Sequence, residues 1–183
     1  MILGYQIKIP VEFKPPRYDN LSTWITNKFS CDDVNPELVS WLNDRGVSFK
    51  DGLFFNVPPG MKHNLHIDMK YGSHYTDCVK INFIYNSNNA VMKWYKLNEG
   101  KGPTLHKNSR GDTIIGFKPE DCHEVFELSG DYESIIFNGQ EIHTMINGDT
   151  MRQCYSLFLL KSNTDVRVTW DEAQYIFKDC IIK

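Results

Sequence analysis

The sequence predicts a mainly β fold, a sandwich or barrel backed by helices near its N-terminal end. Three observations carry that prediction. Short runs of alternating apolar and polar residues recur from Val47 to Lys161, and turn clusters such as Ser129-Gly130-Asp131, Asn138-Gly139 and Asn147-Gly148-Asp149 divide them. No βαβ alternation interrupts the series. Aromatic residues make up 13% of the chain, with nine Tyr and eleven Phe, side chains that suit a pleated, half-buried surface.

Taken in order, Tyr5 to Phe13 alternates as a strand and stops at Pro15-Pro16. Asn20 or Ser22 caps a short helix through Trp24, Ile25 and Phe29. Asn35-Pro36 opens a second helix whose Leu38, Trp41 and Leu42 fall on one face, with Gly46 as its stop. Val47–Phe49 and Leu53–Val57 flank Asp51-Gly52, a hairpin signal. After Pro58-Pro59-Gly60 come strands over 63–70, 79–85, 91–97, 113–117, 124–128, 134–137, 142–146 and 153–161. Asn98 to Gly111 reads as a long loop, and Thr169 to Phe177 as a capped C-terminal helix. The expected organisation is one domain over 1–183: an N-terminal strand and helices to residue 46, a β core over 47–161, and a closing segment over 162–183.

Composition narrows the function classes. Hydrophobic residues at 41% and charged residues at 23% are ordinary for a soluble globular protein. A net charge of −3 supplies no basic field, so nucleic acid is not expected as a partner. Cys31, Cys78, Cys122, Cys154 and Cys180 are scattered with no CxxC pair, which reads as reduced thiols in a cytoplasmic setting. Neither a signal peptide nor an apolar run long enough to span a membrane is expected.

The chemistry-bearing residues are His66 and Asp68, then His143, then Arg152 nine residues later. On a strand, residues i and i+2 share a face, so His66 and Asp68 can reach one metal ion. With His143 they make two imidazoles and one carboxylate, a facial set that leaves three octahedral positions open and suits non-haem Fe(II). With six histidines in 183 residues a lone H-x-D is near chance, and its competing reading is a hydrogen-bonded pair at a strand edge. Among antiparallel sandwiches a double-stranded β-helix, or jelly roll, brings an early strand beside a late one, as the gap between Asp68 and His143 requires. Arg152 opens an apolar strand on which Arg152, Cys154, Ser156 and Phe158 share a face. It needs a partner, either the fork-matching carboxylate of a diacid or a salt bridge to Asp149. On the 79–85 strand Lys80, Asn82 and Ile84 share one face and Val79, Ile81, Phe83 and Tyr85 the other. Lys80 or Asn82 therefore binds co-substrate or substrate, with Tyr85 a rival, unless Lys80 leaves through the rim. Trp94 and Tyr95 read as core and rim, and His106 and His123 as surface histidines. His63 and His74 flank the motif, but a multi-histidine cupin would need H-x-H with a following Glu.

His66-x-Asp68, His143 and Arg152, followed by a long apolar strand, resemble the Fe(II)- and 2-oxoglutarate-dependent oxygenase superfamily over roughly Val57 to Leu160. The resemblance implies a jelly-roll core, Fe(II) held by His66, Asp68 and His143, and Arg152 on the distal carboxylate of 2-oxoglutarate. It also implies O2 as a reactant and hydroxylation of a C–H bond in a protein side chain or a small amino-acid-like substrate. Some members carry Ser two residues after the arginine; this chain has Cys154 there, and Ser156 one strand repeat further. The alternatives are a non-catalytic jelly-roll binding module and a metal cupin enzyme that uses no 2-oxoglutarate. Basic residues in 98–111, among them Lys101, Lys107 and Arg110, favour an acidic or peptide substrate if that segment lines the entrance.

Overall fold

The computed structural model describes residues 2–16, 18, 25–70, 77–86, 88–107, 111, 113–130 and 132–182. Its strands are β1 (Gly4–Gln6), β2 (Ile25–Ser30), β3 (Val47–Ser48), β4 (Asp51–Val57), β5 (His66–Lys70), β6 (Val79–Tyr85) and β7 (Val91–Leu97). They continue as β8 (Thr104–Lys107), β9 (Thr113–Gly116), β10 (Cys122–Ser129), β11 (Ser134–Asn138), β12 (Ile142–Ile146), β13 (Arg152–Phe158) and β14 (Leu160–Lys161). Two α-helices, α1 (Pro36–Asp44) and α2 (Trp170–Ile176), and two single-turn 3-10 helices, Cys31–Asp33 and Pro119–Asp121, complete the described elements. None of the described helices is long and apolar enough to cross a membrane.

Two antiparallel six-stranded sheets form the body, one in the order β1-β11-β6-β13-β4-β2 and the other β10-β7-β12-β5-β9-β8. Late strands insert between early ones in both: β13 lies between β4 and β6, and β12 between β5 and β7. That interleaving makes the sandwich a jelly roll. It sets His143 directly opposite His66, although the two are far apart in sequence.

The outer face of the first sheet packs against the N-terminal segment and both helices. Ile81 and Phe83 of β6 join Tyr155 and Leu157 of β13, Phe54, Leu38, Leu42 and Phe177 in one buried cluster. Leu38 and Leu42 stand one helical turn apart on α1 and are essentially inaccessible to solvent. Each contributes roughly 1.5–3 kcal/mol of burial free energy. A second cluster, with Trp94, Ile135, Phe137 and Cys154, fills part of the space between the sheets. The remaining interior is a cavity of about 800 Å³.

Several expectations change. The predicted 5–13 strand is ordered as strand only to Gln6, with one further bridge from Ile7 to Ile181 and a hydrogen bond from Lys8 N to Cys180 O; further on, Pro10 has no N–H to offer a ladder. Residues 25–29 of the helix predicted through Trp24, Ile25 and Phe29 belong instead to strand β2, paired along its length with β4; the positions read as its caps lie outside the described residues. Its β-branched and aromatic residues suit that edge. The Asp51-Gly52 hairpin does not form: β3 pairs with β14, and Gly52 lies within β4 beneath the Phe29 ring. A Cβ there would stand 2.2 Å from the ring, so this glycine marks a close approach, not a turn. The 98–111 segment contains β8, paired with β9. α1 begins at Pro36 as expected, and its N-cap residue Asn35 bonds Lys14 N and Glu12 O, tying the helix to the N-terminal segment. Thr169 and Glu172 form the capping box of α2.

Candidate metal centre

The approach to β5 is pinned before the first ligand arrives. Gly60 N donates to Gly148 O, Lys62 bridges Ile146, and His63 N donates to Met145 O. His66 then stands between His143 on one side and Gly116 on the other. Asp68, two residues on, projects to the same interior and lines the cavity with both histidines. Its backbone N–H donates to Gly139 O at 2.7 Å, and Gly139 N–H donates to Cys78 O at 2.6 Å. A Cβ on Gly139 would lie 2.9 Å from Cys78 O and 3.0 Å from the Asp68 carboxylate, so the Asn138-Gly139 turn needs glycine for this approach.

One ligand atom from each of His66, Asp68 and His143 lies within 4.8 Å of the other two. His66 Nε2 is 3.6 Å from Asp68 Oδ1, and His143 Nε2 is 3.3 Å from Asp68 Oδ2. Atoms sharing one first-row metal at ~2.1 Å sit roughly 3 Å apart when adjacent, so small movements close the set. The tautomers agree. His66 Nδ1 lies 2.8 Å from Asn64 O and His143 Nδ1 lies 2.8 Å from Glu141 O, each the carbonyl two residues earlier. A carbonyl only accepts, so both Nδ1 atoms carry the proton and both Nε2 lone pairs face the centre.

Electrostatics favour the same state. Burial holds His143 below the usual histidine range, against Asp68, which raises it. Burial first, then the charges of His66 and Arg152, depress neighbouring His63 to about 3. Burial alone would raise the Asp68 carboxyl, but the Lys80 ammonium and His143 hold it well below the usual carboxylate range. Lys80 Nζ stands 2.8 Å from Asp68 Oδ2 and 4.3 Å over the Phe158 ring. The residues therefore fit a divalent cation: two imidazole Nε2 atoms and an ionised carboxylate converge on one point.

Of the other predicted site residues, Lys80, Asn82, Arg152 and Ser156 line the same cavity, and all four are buried. Arg152 is 3% exposed; its Nε has no hydrogen-bond partner, and none of the described acids pairs with it. The Asp149 salt bridge is therefore not the reason for this arginine. Tyr85 is not brought to the cavity: it lies on the opposite face of β6, and its hydroxyl donates to Phe13 O at 3.1 Å. His74 lies outside the described residues.

Three contributions were not evident from sequence. His106 lies on β8 and lines the cavity, its ring covering Gly116 opposite His66, so the loop reading concealed it. Asn147, buried in the turn before β13, places Nδ2 within hydrogen-bond distance of Val57 O, Pro58 O and Thr150 O. It thereby fixes where Arg152 begins. Met61, Met69, Met92 and Met145 line the cavity as adaptable apolar surface. Their spacing in sequence gives no signal, because they come from different strands and loops.

No protein-family description and no curated protein matches the chain. Among solved structures it is similar to EvdO2 from Micromonospora carbonacea var. aurantiaca complexed with 2-oxoglutarate, at 14% identity and a TM-score of 0.44 over 73% of this chain and 60% of that one. It is similar to vicilin from Capsicum annuum at 11% identity and a TM-score of 0.41, over 82% of this chain and 31% of that one. A Pseudomonas putida prolyl-4-hydroxylase gives 12% identity and a TM-score of 0.40, over 80% and 77%. The chain thus spans 60% of EvdO2 and about a third of the vicilin. At this distance no chemistry transfers; the centre stands on its own geometry, in a mainly β jelly roll with a His-Asp-His cluster suited to a metal ion.

Proposed function

We propose that the chain is an Fe(II)- and 2-oxoglutarate-dependent oxygenase that hydroxylates a C–H bond of its substrate. The observation that carries this reading is the conjunction, in one cavity, of the three-ligand cluster with a buried arginine that no described acid neutralises. His66 Nε2, Asp68 and His143 Nε2 would hold the metal on one side. Iron bound there supplies O2 activation coupled to oxidative decarboxylation of the keto acid.

The chain's residues supply placement. The Asn64 and Glu141 carbonyls hold the imidazole rings in their metal-binding tautomer. Lys80 keeps Asp68 ionised and fixes its rotation. Arg152, opening β13, offers a planar fork to the distal carboxylate of 2-oxoglutarate, which gives its buried charge a partner. Phe55, Met92, Phe137 and Met145 around the cavity exclude water from the reacting atoms.

The test is turnover. Protein supplied with Fe(II), ascorbate and 2-oxoglutarate should form succinate, and Asp68→Ala or His143→Ala should abolish it. Succinate formation by either variant at the wild-type rate would contradict the assignment. Tight iron binding with no 2-oxoglutarate dependence would instead support a metal enzyme of another kind.

A further inference from the structure

The cavity floor has a second polar region besides Arg152. Lys80 pairs in register with Phe158 at the far end of β13 from Arg152. Six residues of strand separate the two ends, about 20 Å between backbones. One strand repeat in from Lys80, Asn82 and Ser156 are direct cross-strand partners facing the interior. Asn82 Oδ1 and Ser156 Oγ are buried and have no hydrogen-bond partner among the described residues. Two such atoms side by side on a cavity floor mark a place for an outside polar group. An amide oxygen only accepts, so that group must bring an N–H or O–H.

The charge balance adds a second requirement. In the described structure Lys80 is compensated by Asp68 at 2.8 Å. When Asp68 also binds a dication, its single negative charge is shared, and Lys80 becomes a buried cation short of a counter-ion. The cavity lining carries more basic than acidic side chains, so sharing Asp68 with a metal leaves the cavity as a whole short of negative charge. Opposite this floor, on β7 and β12 of the other sheet, the wall is apolar and adaptable, with Met92 and Met145. A volume of about 800 Å³ leaves room for a small second molecule beside a five-carbon diacid.

We infer that Lys80, Asn82 and Ser156 form the primary-substrate subsite, and that the substrate is a small carboxylic acid with an amino or hydroxyl donor and an apolar body. Lys80 takes the carboxylate, Asn82 and Ser156 take the donor, and the methionine wall takes the body. This rests on the oxygenase reading, which gives the Arg152 end to the keto acid.

Calorimetry on oxygen-free, Mn(II)-loaded protein saturated with 2-oxoglutarate tests it with three probes of one size. L-leucine carries both groups, 4-methylpentanoate lacks the donor, and L-leucinamide lacks the anion. Leucine should bind at least tenfold more tightly than either. Lys80→Met should erase its advantage over leucinamide, and Lys80→Arg should retain part of it. Asn82→Ala/Ser156→Ala should erase its advantage over 4-methylpentanoate; this double variant keeps every metal ligand, so it decides the matter even if Lys80→Met loses the metal. Equal binding of the three probes, or binding of none, would overturn the inference. If 2-oxoglutarate itself fails to bind while leucine retains its Lys80-dependent preference, the oxygenase reading falls and the subsite stands. If 2-oxoglutarate binds through Arg152 and leucine shows no preference, the subsite alone falls.

Discussion

The two faces of β6 and β13 share a backbone and differ in chemistry. On the outer face Ile81, Phe83, Tyr155 and Leu157 are buried against other apolar groups, with Phe13 stacked on Phe83 at 4.2 Å. On the inner face, at alternating positions of the same two strands, stand Lys80, Asn82, Arg152 and Ser156, with polar atoms unmatched on the last three. The outer face supplies stability through area removed from water. The inner face tolerates unsatisfied groups, each a cost to folding, and such costs are expected where a ligand will later meet them. Strand alternation lets one sheet serve both ends without a boundary between them.

The contrast can be broken at neighbouring positions. The largest expected effect is on the metal: Asp68→Ala or His143→Ala should weaken divalent-metal binding by more than the ~10–100-fold typical of losing an outer-shell partner, read by equilibrium dialysis. On stability, Leu157→Ala should cost about 2–5 kcal/mol in chemical denaturation, because Leu157 is fully buried among apolar neighbours. Ser156→Ala, one residue away, should be neutral or stabilising, since it removes an orphaned hydroxyl. A loss above about 1.5 kcal/mol at Ser156 would show that this side chain has a structural partner after all.

Gly139→Ala offers an intermediate test. Its methyl would press on Cys78 O and the Asp68 carboxylate, so metal affinity should fall about tenfold while the β core keeps its signature. The smallest effect concerns pH in the metal-free protein. His63 and His143 have folded pKa values below that of an unfolded histidine, so acid protonates the unfolded chain first. Stability should decline as pH drops below about 6.5, by on the order of 1 kcal/mol per unit from His63, with a further loss in the same direction from His143. The depressed Asp68 adds a further loss only below about 3.9, the unfolded carboxyl value. Stability unchanged between pH 7 and 5.5 would contradict the buried neutral state of these rings.

Period-two patterning made the centre of the molecule legible. β6, β7 and β12 have the limits read from alternation because each is a dense apolar run between turn residues. The i, i+2 spacing placed His66 with Asp68, and the interleaving of a jelly roll placed His143 beside them. Alternation had also put Tyr85 on the face away from Asn82, and the structure separates them in that way. What sequence concealed depends on non-local contact. Gly52 looks like a turn until the Phe29 ring covers it. His106 looks like a loop histidine until β9 pairs with its strand. The Lys80–Asp68 ion pair joins two strands in different sheets, which no local pattern encodes.

The central claim is that one cavity holds a three-ligand iron site and an arginine awaiting a keto acid. Adding 2-oxoglutarate to the Fe(II)-loaded protein without oxygen tests it most directly, by the visible metal-to-ligand charge-transfer absorption that a keto acid chelated to iron produces. The account predicts that band for the wild-type chain, its loss in Asp68→Ala, and a shift of the half-saturating 2-oxoglutarate concentration by about ten- to a hundredfold in Arg152→Met. Iron bound with no band, or a band whose 2-oxoglutarate dependence is the same in Arg152→Met, would contradict it.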